Sequence, residues 1–270
     1  MKNYTGKTAL VTGASSGIGK AFATLLAERG ANLIVVARTE SALLGLAAEL
    51  KQKYGVQIHV ISCDLTEPNS ASRLFAKVQN ANLRVDLLIN NAGFGKWGEF
   101  LDFDLKSYDS MLTLNINTLV QLCHLFLPSM VKNKEGGIIN VASVAAFVPV
   151  PYAAVYSASK SFVLYFSEAL YGEYRNKGVN IMALCPGGTD SNFAAVANPQ
   201  VKLPNGTSET AEVVAERALK SFLKQKSYIV SGKKNYLTTL FPRFLPRQKV
   251  IEVTGTVWKK VISSGLANPS

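Results

Sequence analysis

Histidine and cysteine are scarce in this sequence, and their scarcity removes two classes of chemistry. His59 and His124 are the only two histidines in 270 residues and lie far apart, so no metal-ligand cluster is expected. The three cysteines are an odd number, and Cys63 and Cys185 fall inside apolar, strand-like runs. Free buried thiols in a reducing compartment are expected, not a disulfide framework. No long apolar run opens the chain: within MKNYTGKTALVTGAS about four apolar residues precede a Gly-Ser turn, too few for a signal-peptide core or a membrane span. A cytoplasmic protein without a targeting segment is expected. No linker rich in Pro, Gly or Ser, no repeat and no low-complexity tract divides the sequence, so one domain is expected.

Acidic side chains are also in deficit, 18 against 29 basic ones, for a net charge of +11. Residues 233–262 carry much of the excess, with seven basic residues against the single acid Glu252. Nucleic-acid binding is the obvious reading of such a balance. The sequence has no interleaving of arginine with aromatics and no recognised binding module, so no nucleic-acid partner is expected. An anionic cofactor is the simpler explanation.

Apolar residues are plentiful, 48% of the sequence against 17% charged, which is enough for a large core and argues against disorder. They form short β-branched runs at 8–11, 33–36, 56–62, 87–90, 137–142, 180–184 and 228–231, which read as buried parallel strands. Between them lie helical patterns, among them 19–29, 42–53, 70–79, 107–132 and 157–176, with Gly30, Gly55 and Gly178 as stops. The alternation predicts an α/β fold of the Rossmann type: a single-domain, doubly wound parallel sheet of seven strands with helices on both faces.

The first strand runs into Thr12-Gly13-Ala14-Ser15-Ser16-Gly17-Ile18-Gly19 and then a helix. Glycines allow a sharp turn and close approach of a ligand, and the N-H groups and positive end of the helix suit a diphosphate. At the end of the second strand an acid would accept from a ribose hydroxyl of NAD. Arg38 stands there instead, with a fork of donors for the 2'-phosphate of NADP; a plain surface arginine is the alternative. Asp64, ahead of Leu65 at the end of the third strand, is placed either to meet the adenine amino group or to cap a helix.

Further on stand Ser143 and, four residues apart on a helical pattern, Tyr156 and Lys160. A phenol is mostly protonated at neutral pH, and an ammonium nearby brings its pKa down toward working range. Tyr156 is then able to protonate a forming alkoxide, while Ser143, at the carboxyl edge of the sheet, holds the carbonyl oxygen. Alone, a Tyr-x-x-x-Lys pair is commonly structural. In company with the glycine turn, Asn90-Asn91-Ala92-Gly93, Asn115, Ser143 and Pro186-Gly187, it closely resembles the ordered motif set of the short-chain dehydrogenase/reductase family over about residues 6–232.

The resemblance implies an NADP(H)-dependent oxidoreductase that transfers hydride to a carbonyl carbon. Tyr156 is implied as acid/base, Lys160 as the group that binds the nicotinamide ribose and lowers the tyrosine pKa, Ser143 as the group orienting the carbonyl, and Asn115 as the holder of a relay water. Gly13, Ser15, Ser16, Gly17, Ile18 and Gly19 are implied around the diphosphate, Arg38, Asp64, Leu65, Asn91, Ala92 and Gly93 on the adenosine side, and Pro186, Gly187, Thr189 and Ser191 toward the nicotinamide. The family often has Thr where Ser191 stands; either hydroxyl can reach a phosphate. The run from Phe94 to Phe100 is similar to the subgroup of steroid and long-chain 3-ketoacyl reductases and uncharacterised bacterial reductases.

Phe94, Trp97, Phe147, Val148, Tyr152 and Phe193 are expected near the nicotinamide, which predicts an apolar, bulky ketone or acyl substrate; the alternative for each aromatic is core packing. Residues 1–232 are expected to form the dinucleotide-binding catalytic domain and 233–270 a basic amphipathic extension packed on it. The extension reads either as a flap over the substrate pocket or as a peripheral membrane contact through 233–262. The two long helices, 107–132 and 157–176, are the usual dimer-forming pair of the family, which implies a homodimer or homotetramer. Two further readings remain: the same chemistry run as an alcohol or hydroxysteroid dehydrogenase, and a cofactor-binding regulator without turnover.

Overall fold

The computed structural model describes residues 1–191, 193–199 and 208–266; positions 267–270 of the expected extension lie outside the described residues. Its strands are β1 (Thr8–Thr12), β2 (Asn32–Ala37), β3 (Ile58–Ser62), β4 (Leu87–Asn90), β5 (Gly136–Val141), β6 (Val179–Cys185), β7 (Thr189–Asp190), β8 (Glu209–Thr210) and β9 (Tyr228–Val230). Seven of them form one parallel sheet in the order β3-β2-β1-β4-β5-β6-β9, and β7 pairs with β8 in a separate parallel ribbon. The family-like doubly wound α/β architecture expected from the sequence is the one observed.

The helices are α1 (Gly17–Glu28), α2 (Glu40–Tyr54), α3 (Ser70–Asn80), α4 (Leu105–Leu112), α5 (Leu119–Asn133), α6 (Ala154–Tyr174), α7 (Phe193–Ala197), α8 (Ala211–Leu223), α9 (Lys233–Leu240) and α10 (Arg247–Leu266). Strand side chains alternate between faces, and here both faces are apolar. Val11, Leu33, Val35, Ile89 and Leu184 meet α1, α2 and α8, whereas Leu10, Ile34, Val36, Leu88 and Ile181 meet α3, α5 and α6. Each of these fully buried aliphatic chains contributes about 2 kcal/mol of transfer free energy. The strand order reverses between β1 and β4, and their carboxyl ends open the crevice in which such sheets bind ligands.

Three differences from the sequence reading matter for the site. The expected single helix at 107–132 begins at Leu105, because Asp104 caps it by accepting from the Ser107 N-H at 2.8 Å, and it carries a π-helical turn at Thr113–Thr118. This helical stretch, 105–133, is long and apolar enough by composition to cross a membrane, but Leu122, Phe126 and Met130 turn its apolar face into the core. Helix α6 begins at Ala154, earlier than the expected 157, so Tyr156 lies in its first turn. Lastly, Phe147 packs against Tyr228 on the flank of the sheet, with ring centroids 6.1 Å apart, and does not join the aromatics expected beside the nicotinamide.

After β9, α9 sits beside Gly187 and α10 packs on the 149–151 turn and on Trp97. Asn235 of α9 donates to the Ser231 carbonyl at 2.7 Å and sits beside Gly187. On α10, the Thr254 hydroxyl donates to the Pro149 carbonyl at 3.0 Å and Trp258 meets the edge of Trp97 at 5.3 Å.

Candidate active site

The turn between β1 and α1 is fixed by close approach. Gly13 and Gly17 have φ of +67° and +51°, and a Cβ at Gly13 would fall 2.8 Å from Asn91 Nδ2. Gly19 packs directly on the Gly13 carbonyl, and a Cβ at Gly17 would lie 3.0 Å from the Cβ of Ser191. Ser15 and Ser16 bracket the turn; Ser16 is the N-cap residue, yet its hydroxyl caps no helical N-H, while Ile18 reaches into the core. The start of α1 thus offers backbone donors and the positive end of the helix beneath a cradle too narrow for side chains. This arrangement fits a diphosphate.

Asn91 and Ala92 serve this turn from β4. Their N-H groups both donate to Thr12 Oγ1 at 3.0 Å, and Asn91 Nδ2 donates to the Thr12 carbonyl at 2.9 Å. A Cβ at Gly93, expected on the adenosine side, would be 3.3 Å from Lys160 Nζ and 2.9 Å from Asn115 Oδ1. Arg38 is exposed just past β2 and helps hold the Asp64 carboxyl below its usual range, after the hydrogen bonds from Thr66. Asp64 accepts from both the N-H and hydroxyl of Thr66, and Asn69 takes the N-cap position of α3, so the helix-cap alternative for Asp64 does not hold. Leu65 turns its side chain into the core and its carbonyl toward Thr118 Oγ1, at 2.9 Å.

At the other end of the crevice, Ser143, Tyr156, Lys160 and Asn115 are all buried. Ser143 follows β5 and its Oγ accepts from the Ala145 N-H at 3.1 Å, starting a short 3-10 turn. Tyr156 and Lys160 occupy successive turns of α6, with the lysine Nζ 5.9 Å from the tyrosine ring centroid. Lys160 donates to the Val141 carbonyl at 2.8 Å. Asn115 sits in the π-helical turn, a feature often found at functional sites. Its Nδ2 donates to the Phe94 carbonyl at 3.0 Å and to Ser159 Oγ at 3.1 Å, and its Oδ1 accepts from the Phe94 N-H at 3.2 Å, which ties the 92–95 loop to α6.

Burial pushes the Tyr156 phenol up to about 12, and the hydrogen bond with Ser143 acts against it. Burial drives Lys160 down to about 8. Ser143 is the hydrogen-bond partner that lowers the phenol, while Lys160 donates to the Val141 carbonyl.

Among the residues expected toward the nicotinamide, the Pro186 carbonyl accepts from the Val144 N-H at 3.0 Å, Thr189 Oγ1 donates to the Gly187 carbonyl at 3.2 Å and Ser191 Oγ donates to the Thr189 carbonyl at 3.3 Å. Above Tyr156 lies an apolar cluster built from Trp97, Tyr108, Met111, Val150 and Ala153, with Phe94, Val148, Phe193 and Trp258 packed against it. Tyr152, at φ +66°, stands outside this cluster and gives its carbonyl to the Gly98 N-H. The sequence reading missed Asn235 and took Trp258 only as part of the extension read as a flap, because residues so distant along the chain carry no local signal of their contacts with Gly187 and Trp97.

Comparison with known proteins agrees with this geometry. The chain is 32% identical over 221 residues to a very-long-chain 3-oxoacyl-CoA reductase of Macaca fascicularis, covering 80% of this chain and 68% of that one. The short-chain dehydrogenase from Sphingobium yanoikuyae in complex with NADPH superposes with a TM-score of 0.80 at 29% identity, over 88% of this chain and 93% of that one. The bulky-bulky ketone specific alcohol dehydrogenase from Comamonas testosteroni gives a TM-score of 0.75 at 29% identity, over 89% and 99% of the two chains. Residues 7–202 match the family described as short chain dehydrogenase. With the sheet order, the glycine turn and the buried serine, tyrosine and lysine already in place, the chain belongs to the short chain dehydrogenase family of oxidoreductases.

Proposed function

We propose that this protein is an NADPH-dependent reductase of a hydrophobic ketone or 3-ketoacyl compound. The observation that carries the reading is the burial of Ser143, Tyr156 and Lys160 together beneath an apolar aromatic cluster, at the carboxyl edge of a sheet whose first turn is a diphosphate cradle. Gly13, Gly17 and Gly19 would hold the diphosphate, Arg38 the 2'-phosphate and Lys160 the nicotinamide ribose. NADPH supplies a hydride for the carbonyl carbon when bound. Ser143 donates a hydrogen bond to the substrate oxygen, and Tyr156 passes its phenolic proton to that oxygen as the carbon-oxygen double bond becomes a single bond. The high phenol pKa keeps that proton in place at neutral pH. Asn115 holds the 92–95 loop against α6 and so fixes the floor of the site.

The 3-oxoacyl and bulky-ketone relatives support an apolar substrate, as do Trp97, Phe193 and Trp258 around Tyr156. A panel of ketones and 3-ketoacyl thioesters assayed with NADPH and NADH tests the reading. Turnover of bulky apolar members with NADPH is expected, and a tenfold preference for NADH would overturn the role given to Arg38. The oxidative direction is the same chemistry reversed and follows from the same assay.

We further propose that residues 233–266 belong to the catalytic domain as a cover whose outer face contacts membrane. Trp258 and Val250 turn inward on α10, while Leu237, Phe241 and Phe244 are 64%, 63% and 83% exposed beside Lys233, Lys234, Arg243 and Arg247. Apolar side chains ringed by cations match an anionic lipid surface. A cytoplasmic location with peripheral membrane contact is part of this proposal. Assembly as a homodimer or homotetramer through α5 and α6 is supported by exposed Phe162 and Tyr165 on α6.

A further inference from the structure

Among the described residues, the indole nitrogen of Trp97 is the one buried side-chain donor with no hydrogen-bond partner. Trp97 is only 5% exposed, so water does not compensate it. Buried N-H groups are nearly always paired, and an orphan is costly enough to need a reason. The backbone gives the residue little freedom to find relief: the Trp97 N-H donates to the Ala197 carbonyl at 3.2 Å, its carbonyl accepts from Asn198 Nδ2 at 2.8 Å, and the next N-H, of Gly98, donates to the Tyr152 carbonyl at 2.9 Å.

Among the described residues, the ring's surroundings supply no acceptor. Phe193 lies 6.1 Å away and Trp258 5.3 Å away, centroid to centroid, within a cluster of Met111, Val150, Ala153 and Ala197. Phe193 in turn touches Tyr156, with centroids 5.6 Å apart, so the orphan donor belongs to the same aromatic group as the phenol that faces substrate in the proposed reaction. An apolar cluster with one unpaired donor, bordering the buried Tyr156, is complementary to an apolar ligand with one suitably placed oxygen.

Resting on the carbonyl-reductase reading above, we propose that Trp97 Nε1-H is a specificity-determining donor for a second oxygen of the substrate, close to the ketone that Tyr156 protonates. The 1-carbonyl of a 3-oxoacyl thioester has this chemistry and a simple ketone lacks it. A site built to hydrogen-bond a substrate group discriminates against the analogue without it, since the donor is then left unpaired.

The test compares Trp97→Phe with the unsubstituted protein on two probes, a 3-oxododecanoyl thioester and a methyl ketone of matched chain length, both with NADPH. Phenylalanine keeps an aromatic ring and removes the N-H. The expected result is a loss of about tenfold in kcat/KM on the thioester and a change of less than about twofold on the ketone, the size of one hydrogen bond. As a check independent of turnover, the indole N-H resonance absent from Trp97→Phe should move in the unsubstituted protein when NADP and the 3-oxododecanoyl thioester are both added. Equal losses on the two probes, or no loss with an unmoved resonance, overturn the proposal alone. Failure of the unsubstituted protein to reduce either probe overturns the carbonyl-reductase reading and this inference with it.

Discussion

Lys160 stands 5.9 Å from the ring centroid of Tyr156 and donates to the Val141 carbonyl, while Ser143 hydrogen-bonds the phenol. Ammonium and phenol share a buried crevice without being paired. In the proposed reaction the tyrosine carries the transferred proton and the lysine a charge for an anionic or polar ligand, two tasks that substitution can separate.

Tyr156→Phe removes the proton donor and keeps the ring against Phe193. Loss of a general acid lowers rates by roughly a hundredfold to ten-thousandfold. Carbonyl reduction should fall within or below that range, while NADPH affinity, followed by quenching of tryptophan fluorescence, should change by less than about twofold. Activity within tenfold of the unsubstituted protein would remove Tyr156 from its assigned role.

Lys160 makes a prediction about stability. Its folded pKa is lowered to about 8 from 10.5 by burial. Below pH 8 the amine is charged in folded and unfolded chains alike, so the burial penalty is complete. Between about 8 and 10.5 the unfolded chain holds more protons, and the folded state gains stability as pH rises. Replacing Lys160 with Met relieves a penalty of roughly 3 kcal/mol and forfeits a hydrogen bond of about 1 kcal/mol. The cofactor-free variant should therefore melt higher than the unsubstituted protein at pH 7, and the gap should close by pH 10. A gap constant with pH, in thermal melts across that range, would show that burial does not strain this lysine.

Arg38 is exposed and its charge helps lower the Asp64 carboxyl. Arg38→Asp should cost about tenfold or more in kcat/KM with NADPH, since a charge-assisted pair is worth about 1.5–3 kcal/mol, and should leave NADH turnover equal or improved. Parallel losses with the two nucleotides would mean that Arg38 serves the fold and not the 2'-phosphate.

The sheet was legible because every central strand is apolar on both faces, as Leu10 with Val11 and Ile34 with Val35 show. Glycines at 13, 17 and 19 were legible as a turn because no other residue fits there. The π-helical turn around Asn115 has no compositional signature, since it differs from an α-helix only in hydrogen-bond register. The start of α6 was misplaced because Ala153 offers no capping side chain. Phe147 and Trp258 are aromatics of equal promise in the sequence. Which of them meets the site depends on contacts between elements remote in the chain, with Tyr228 for one and Trp97 for the other.

The basic extension separates two roles along its length. Trp258 is held inward by Trp97, so removing all of α10 would also uncover the site and confuse the outcome. Phe241 and Phe244, by contrast, project from the short turn after α9. Phe241→Ser with Phe244→Ser leaves α10 and the catalytic groups untouched while removing two apolar anchors, each worth on the order of 1 kcal/mol or more at a lipid interface. Sedimentation with vesicles containing anionic lipid should fall by about tenfold or more in the double variant, and raising salt should weaken binding of the unsubstituted protein by screening Lys233, Lys234, Arg243 and Arg247. Reductase activity on a soluble ketone should be unchanged, which shows that the fold is intact. If the two proteins sediment equally, or if neither binds anionic vesicles, the exposed face does not dock on lipid.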